Sequence, residues 1–123
     1  MDIKGALLSL EIAWHDFLVE QGHHVYPEID QPEIISYNSK KTRYRWLLMV
    51  GQGLKRRFTK SERIYLERKL RLASSKKETT YLVVGFIRQP TRIIVLPVAN
   101  ALKAKCVYSN KGGIAWNEWP LEI

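Results

Sequence analysis

The segment from Thr80 to Ile87, Thr-Tyr-Leu-Val-Val-Gly-Phe-Ile, is apolar almost without interruption and has the length of one strand. A half-exposed strand alternates polar and apolar residues, whereas a strand without a polar side must be covered on both faces. The rest of the chain therefore has to supply a sheet around this strand and a helical layer on each side of it.

Both layers are legible. Ile3, Ala6, Leu7, Leu10, Ala13, Trp14, Phe17 and Leu18 recur every three or four residues, which predicts an amphipathic helix from Ile3 to Gln21, ended by Gly22. Further on, Thr59 stands three residues before Glu62, the spacing of a capping box, and opens a predicted helix from Lys60 to about Ala73. On it Leu66, Leu70 and Ala73 share one face, with Tyr65 and Leu72 beside it, while Lys60, Arg63, Arg68 and Arg71 lie on the other side.

Between the helices, His24 to Tyr26, Glu33 to Tyr37 and Arg43 to Val50 read as three strands, with turn chemistry at Asn38-Ser39-Lys40-Lys41 and at Gly51-Gln52-Gly53. The segment Lys55-Arg56-Arg57 reads as a loop. After the apolar strand come a strand at Ile93 to Leu96, a short helix from Pro97 to about Ala104 and a final short strand at Ile114 to Trp116. The expected fold is α/β with a mixed sheet: an αβββαβ core and a small C-terminal β/α extension, forming a single domain over residues 1–123.

Charge is distributed very unevenly. Residues 1–39 hold one lysine against seven acids, a net −6, whereas residues 40–77 hold fourteen Lys and Arg against two acids, a net +12. A field of that density gathers anions, and phosphate binding through it is salt-dependent. Nucleic acid is the partner this implies, DNA before RNA, through Lys40, Lys41, Arg43, Lys55, Arg56, Arg57, Lys60, Arg63 and Arg71. Lys55-Arg56-Arg57 stands ahead of the second helix, whose N-terminal amides and dipole add to the attraction, although Thr59 competes for those amides as the cap. Interleaved with the cations are Tyr37, Tyr44, Trp46, Phe58 and Tyr65, which offer rings for stacking on unpaired bases, although Tyr44 and Trp46 share a strand face that fits a core as well. The plain alternative is a solvated basic face.

Other chemistries find no support. One cysteine, Cys106, makes no internal disulfide, and the expected setting is cytoplasmic and reducing. No apolar run approaches the roughly 20 residues that span a bilayer, so no membrane partner is expected. His23 and His24 are adjacent and point to opposite faces of a strand, which argues against a shared zinc ion. Phosphate-binding, dinucleotide and hydrolase-elbow motifs are absent.

The order of elements resembles the restriction-endonuclease-like, or PD-(D/E)XK, nuclease superfamily, which includes Holliday-junction resolvases. Gly22-His23-His24-Val25-Tyr26-Pro27 stands where that family's first helix runs into its first strand. Pro32-Glu33-Ile34-Ile35 stands at its Pro-Asp position, and Arg45-Trp46-Leu47-Leu48-Met49-Val50 stands on the strand that carries its acid-x-Lys element. The resemblance implies Mg²⁺-dependent cleavage by acids on these strands, with Glu33 as the first metal-binding and catalytic carboxylate. Glu11, on the flank of the first helix's apolar stripe, is the candidate replacement for the missing second acid, and Gln52 and Lys55 are candidate migrated partners. From Tyr44 to Gly51 there is no Asp, Glu or Lys, so the standard site is absent or rebuilt. The plain readings are a surface carboxylate at a strand end for Glu33 and a solvent-facing helical residue for Glu11.

Three functions follow in order of preference: a nucleic-acid-binding nuclease-like domain with a degenerate site, an active Mg²⁺-dependent nuclease or junction resolvase, and a charge-segregated domain for self-association, for example as a homodimer, or for an acidic protein partner.

Overall fold

The two most apolar strands lie side by side at the centre of the sheet. A computed structural model describes residues 2–28, 31–109 and 114–115. In it β3 (Arg43–Gly51) and β5 (Thr79–Phe86) pair in parallel from Tyr44↔Thr79 to Gly51↔Phe86. A parallel pair needs a crossover, and α2 (Lys60–Lys76) supplies it. The other pairings are antiparallel: β1 (His24–Pro27) with β2 (Glu33–Tyr37), β2 with β3, β5 with β6 (Gln89–Pro97), and β6 with β8 (Ile114–Ala115). The resulting six-stranded order is β1-β2-β3-β5-β6-β8.

Alternation along the strands divides the interior into two cores. Tyr44, Trp46, Leu48 and Val83 point to one face, where Leu10, Trp14, Phe17 and Leu18 of α1 (Ile3–Glu20) cover them. Leu47, Met49, Leu82 and Val84 point to the other, beneath Leu66 of α2 and Val98 and Ala101 of α3 (Val98–Ala104). Each buried Val, Leu, Phe or Met among them contributes about 1.5–3 kcal/mol through removal from water. Gly85 interrupts the apolar strand because a Cβ there would stand 3.3 Å from Leu10 Cδ1, so the missing side chain is the seat for the helix.

Tyr44 and Trp46 are buried in the first core, stacked on one another and on Tyr81, which removes both from the candidate base-stacking set. Trp46 Nε1 donates to Ser36 Oγ at 2.8 Å, and His23 Nδ1 meets the same oxygen at 2.9 Å. Phe58 is likewise buried.

Most elements fall where the periodicity puts them, and the departures are local. Helix α2 runs one turn beyond Ala73 to Lys76 and stops at Lys77, which takes left-handed dihedrals (φ 55°). Leu72, expected beside the buried stripe, is 38% exposed. The expected loop at Lys55–Arg57 is a strand, β4, which pairs with β7 (Cys106–Tyr108) in a separate two-stranded sheet. The strand expected from Ile114 is present as β8, and Trp116 lies outside the described residues. Among the described residues no helix is long and apolar enough to cross a membrane.

Both bonds of the capping box form: Thr59 Oγ1 accepts from the Glu62 amide at 3.2 Å and Glu62 Oε1 accepts from the Thr59 amide at 2.8 Å. Thr59→Ala should therefore cost about 1 kcal/mol, measured as a lower urea midpoint at unchanged slope.

Candidate functional site

In the β2–β3 pairing Glu33 stands opposite Leu47, so its side chain leaves the sheet on the α2 side. It is not the surface carboxylate its position at a strand end suggests. Glu33 is fully buried, and its oxygens accept from Arg45 Nη1 at 2.6 Å, Lys69 Nζ at 2.9 Å and Tyr65 OH at 2.7 Å. Arg45, only 4% exposed, turns its Nε to Glu78 Oε1 at 2.7 Å, and Arg43 Nε stands 2.6 Å from Glu78 Oε2. Glu28 approaches Arg45 from the solvent side at 3.8 Å. The cluster thus joins β2, β3, α2 and the link between α2 and β5.

Burial by itself would raise the Glu33 pKa. The hydrogen bonds from Tyr65, Lys69 and Arg45, with the charge of Lys69, outweigh that and hold the carboxyl below its ordinary value. Tyr65 is pushed far above the ordinary phenol value by burial and by its bond to the Glu33 carboxylate. Arg45 loses solvation too, but its bonds to Glu78 and Glu33 raise its pKa overall.

This arrangement does not fit a divalent ion. Hard cations need several oxygen ligands, yet the β3 residues on this face are Arg43, Arg45, Leu47, Met49 and Gly51, with no carboxylate among them. The oxygens of Glu33 already face two cations and a hydroxyl. Glu11, partly exposed on α1, lies across the sheet from Glu33, because α1 covers Ile34, Trp46 and Leu48 while Glu33 faces α2. The Glu33–Glu11 pair implied by the resemblance is therefore not brought together. Gln52 and Lys55 are exposed beyond the end of β3. Among the described residues no group of three His, Cys, Asp or Glu side chains is arranged to hold a metal ion.

The basic candidates divide into two sets. Arg43 is engaged by Glu78. Arg56 is engaged as well: its guanidinium donates to the Glu62 carboxylate, to the Val50 carbonyl at 3.0 Å and to the Arg57 carbonyl at 2.6 Å. The α2 N-terminus is served by Thr59 and by Glu62, whose pKa burial would raise but Arg56 and the Thr59 amide hold low. The phosphate seat expected there is thus filled from within the chain. Lys40, Lys41, Lys55, Arg57, Lys60 and Arg71 are exposed, and Arg63 is partly buried.

The exposed cations do not form one compact patch. The hairpin with Lys40 and Lys41 precedes β3 and the strand with Lys55 and Arg57 follows it, which places them about 30 Å apart at roughly 3.3 Å per residue. Helix α2 returns along that distance, from Lys60 near β4 to Lys76 near the start of β5. The surface is a band with α2 as its middle.

Three members of the cluster escape a reading of the sequence by itself. Tyr65 and Lys69 stand four residues apart, a helical spacing that places both on the sheet side of α2. Glu78, just past the helix, carries no local signal; only the tertiary fold brings it to Arg45.

No protein-family model matches the chain, and no curated protein matches its sequence. Among solved structures, that of Hjc, a Holliday junction resolvase from the archaeal hyperthermophile Archaeoglobus fulgidus, superposes with a TM-score of 0.58. The match spans 73% of this chain and 75% of that one at 15% identity. The fold is therefore restriction-endonuclease-like, as the order of elements implies.

Removing one partner from a buried ion pair typically costs 3–5 kcal/mol, and Glu33→Ala is expected to lose about that much in urea unfolding. The pH dependence follows from the lowered Glu33 pKa. Its stabilising contribution is present above the ordinary value of 4.5 and is lost as pH falls through the lower folded-state value. Wild type should show this acid limb in unfolding midpoints taken downward from pH 4.5, and Glu33→Gln should flatten it.

Proposed function

We propose that this chain is a nucleic-acid-binding domain of restriction-endonuclease-like fold that does not cleave its ligand. The observation that carries the reading is the division of its cations. Arg45, Lys69, Arg43 and Arg56 are tied to carboxylates inside the molecule, whereas Lys40, Lys41, Lys55, Arg57, Lys60 and Arg71 stand exposed along α2 and at both its ends. Within the first set, Arg45 and Lys69 occupy the oxygens of Glu33, the acid that the resemblance places at the metal site, which leaves that carboxylate no free oxygen for an ion that would activate water. The second set supplies phosphate contacts and counterion release. DNA is favoured over RNA, a reading supported by the similar Archaeoglobus fulgidus structure being that of a Holliday junction resolvase.

The test is a gel-shift series on DNA over a range of salt concentrations. Binding should weaken steeply with salt, and the double variants Lys55→Glu/Arg57→Glu and Lys60→Glu/Arg71→Glu should each bind more weakly. Their salt slopes should be shallower by about 1 for each phosphate that no longer meets a cation. Absence of a complex at low salt, or unchanged binding by both variants, would overturn the binding reading. Incubation with Mg²⁺ or Mn²⁺ should leave the DNA intact; cleavage that Glu33→Ala abolishes would establish a nuclease instead.

A further inference from the structure

Beside α2, the same face of the sheet continues over β1 and β2, where Tyr26 stands exposed among the described residues. There a groove of about 660 Å³ is lined by His24, Tyr26, Glu28, Tyr37, Lys41 and Arg43, with Ile35 beneath. The register explains its make-up: His24↔Tyr37 and Tyr26↔Ile35 place these four side chains on one face, while Val25 between them packs into the α1 core.

We infer that this groove binds unpaired nucleotides of a single strand, with Tyr26 and Tyr37 as the stacking surface and Lys41 at the rim as the phosphate contact. The inference rests on the nucleic-acid reading above and names the strand state that the domain selects.

Three observations support it. Tyr26 is 57% exposed and stands edge-on to Tyr37 with centroids 5.9 Å apart. Two rings at that angle form a corner that accepts a flat base against one ring and along the edge of the other. Next, the cation of Arg43 lies 5.8 Å from the Tyr37 centroid while Glu78 anchors it, so the ring is already held in place before a ligand arrives. Finally, Lys41 adopts a left-handed backbone, φ 63°, where glycine or asparagine would sit at lower cost. Asn38 fixes that turn: its Oδ1 accepts from the Lys40 and Thr42 amides at 3.0 and 2.9 Å, and its carbonyl accepts from the Lys41 amide at 2.9 Å. The strain is retained at a position that presents a lysine to the groove.

The groove is also polar from end to end. Lys41 lies beyond the His24↔Tyr37 pair and Glu28 beyond the Pro27↔Ile34 pair. A nucleotide is polarised in the same sense, with an anionic phosphate on one side and, in most bases, N–H donors on the other. The complement of the groove is thus an unpaired base with its phosphate toward the hairpin. A duplex keeps its base faces stacked and out of reach of the tyrosines.

The experiment is fluorescence anisotropy of a short labelled oligothymidylate, alone and as its duplex with oligoadenylate, against wild type, Tyr26→Ala/Tyr37→Ala, Tyr26→Phe/Tyr37→Phe and Lys41→Gly. Wild type should bind the single strand more tightly than the duplex. The double alanine variant should lose about tenfold or more on the single strand with little change on the duplex, and the phenylalanine variant should retain binding. Lys41→Gly should weaken single-strand binding while raising the unfolding midpoint, which separates its effect from misfolding. Equal single-strand affinity in wild type and the alanine variant, with duplex still bound, would overturn the groove proposal and leave the nucleic-acid reading intact. No binding of either form would overturn both. An oligoglutamate competitor that displaces the strand at equal charge and shows the same tyrosine dependence would assign the groove to an acidic peptide and overturn the base-stacking proposal.

Discussion

Arg45 cannot be left alone in this interior. A guanidinium with 4% of its surface exposed has lost most of its hydration, and its charge is tolerable only because Glu33 and Glu78 meet it from two directions within hydrogen-bonding distance. That requirement reaches well beyond one side chain. Glu33 ties β2 to β3, Tyr65 and Lys69 tie α2 to the sheet, and Glu78 ties the link between α2 and β5 to β3. Hydrophobic burial supplies most of the stability of the two cores, but it is non-directional. The ion cluster gives the α2 side a geometry that apolar packing alone leaves free to slide.

The same cluster separates fold from chemistry. The order of elements and the structural likeness agree on a restriction-endonuclease-like fold, and a fold hosts many functions. What decides between them is the site, and here the acid expected to hold metal holds Arg45 and Lys69 instead. The exposed cations along α2 and the aromatic groove beside it then form neighbouring surfaces on one side of the sheet. In the function proposed above, one meets phosphates in general and the other bases that have left a duplex.

Much of the architecture is legible in the sequence because it rests on local periodicity. The Ile3–Leu18 stripe, the Thr59–Glu62 box and the unbroken apolar run at β5 each state their structure within a few residues. The strands β4 and β7 are not legible, because three-residue strands acquire their identity only from one another. The candidate site is harder to read for the same reason. Position marks Glu33 as the residue standing where the family keeps an acid, but its burial depends on Lys69 and Glu78, which lie 36 and 45 residues further along the chain. Arg56 resembles a phosphate ligand within the basic run, and only the backbone turn after β3 reveals that Glu62 already claims it. Tyr26 gives no signal of its own, because it belongs to the acidic third of the chain and meets Tyr37 only through strand pairing.

The buried ion cluster also has an evolutionary consequence. To build a divalent-ion site here, a lineage would have to place carboxylates at Leu47 or Met49 and withdraw Arg45 and Lys69. Withdrawing Arg45 removes a buried partner from both Glu33 and Glu78, at several kcal/mol out of a total stability of roughly 5–15 kcal/mol. That step therefore leads through a less stable protein. The ion cluster behaves as a lock: its side chains leave the exposed cations easy to exchange and a metal site hard to build.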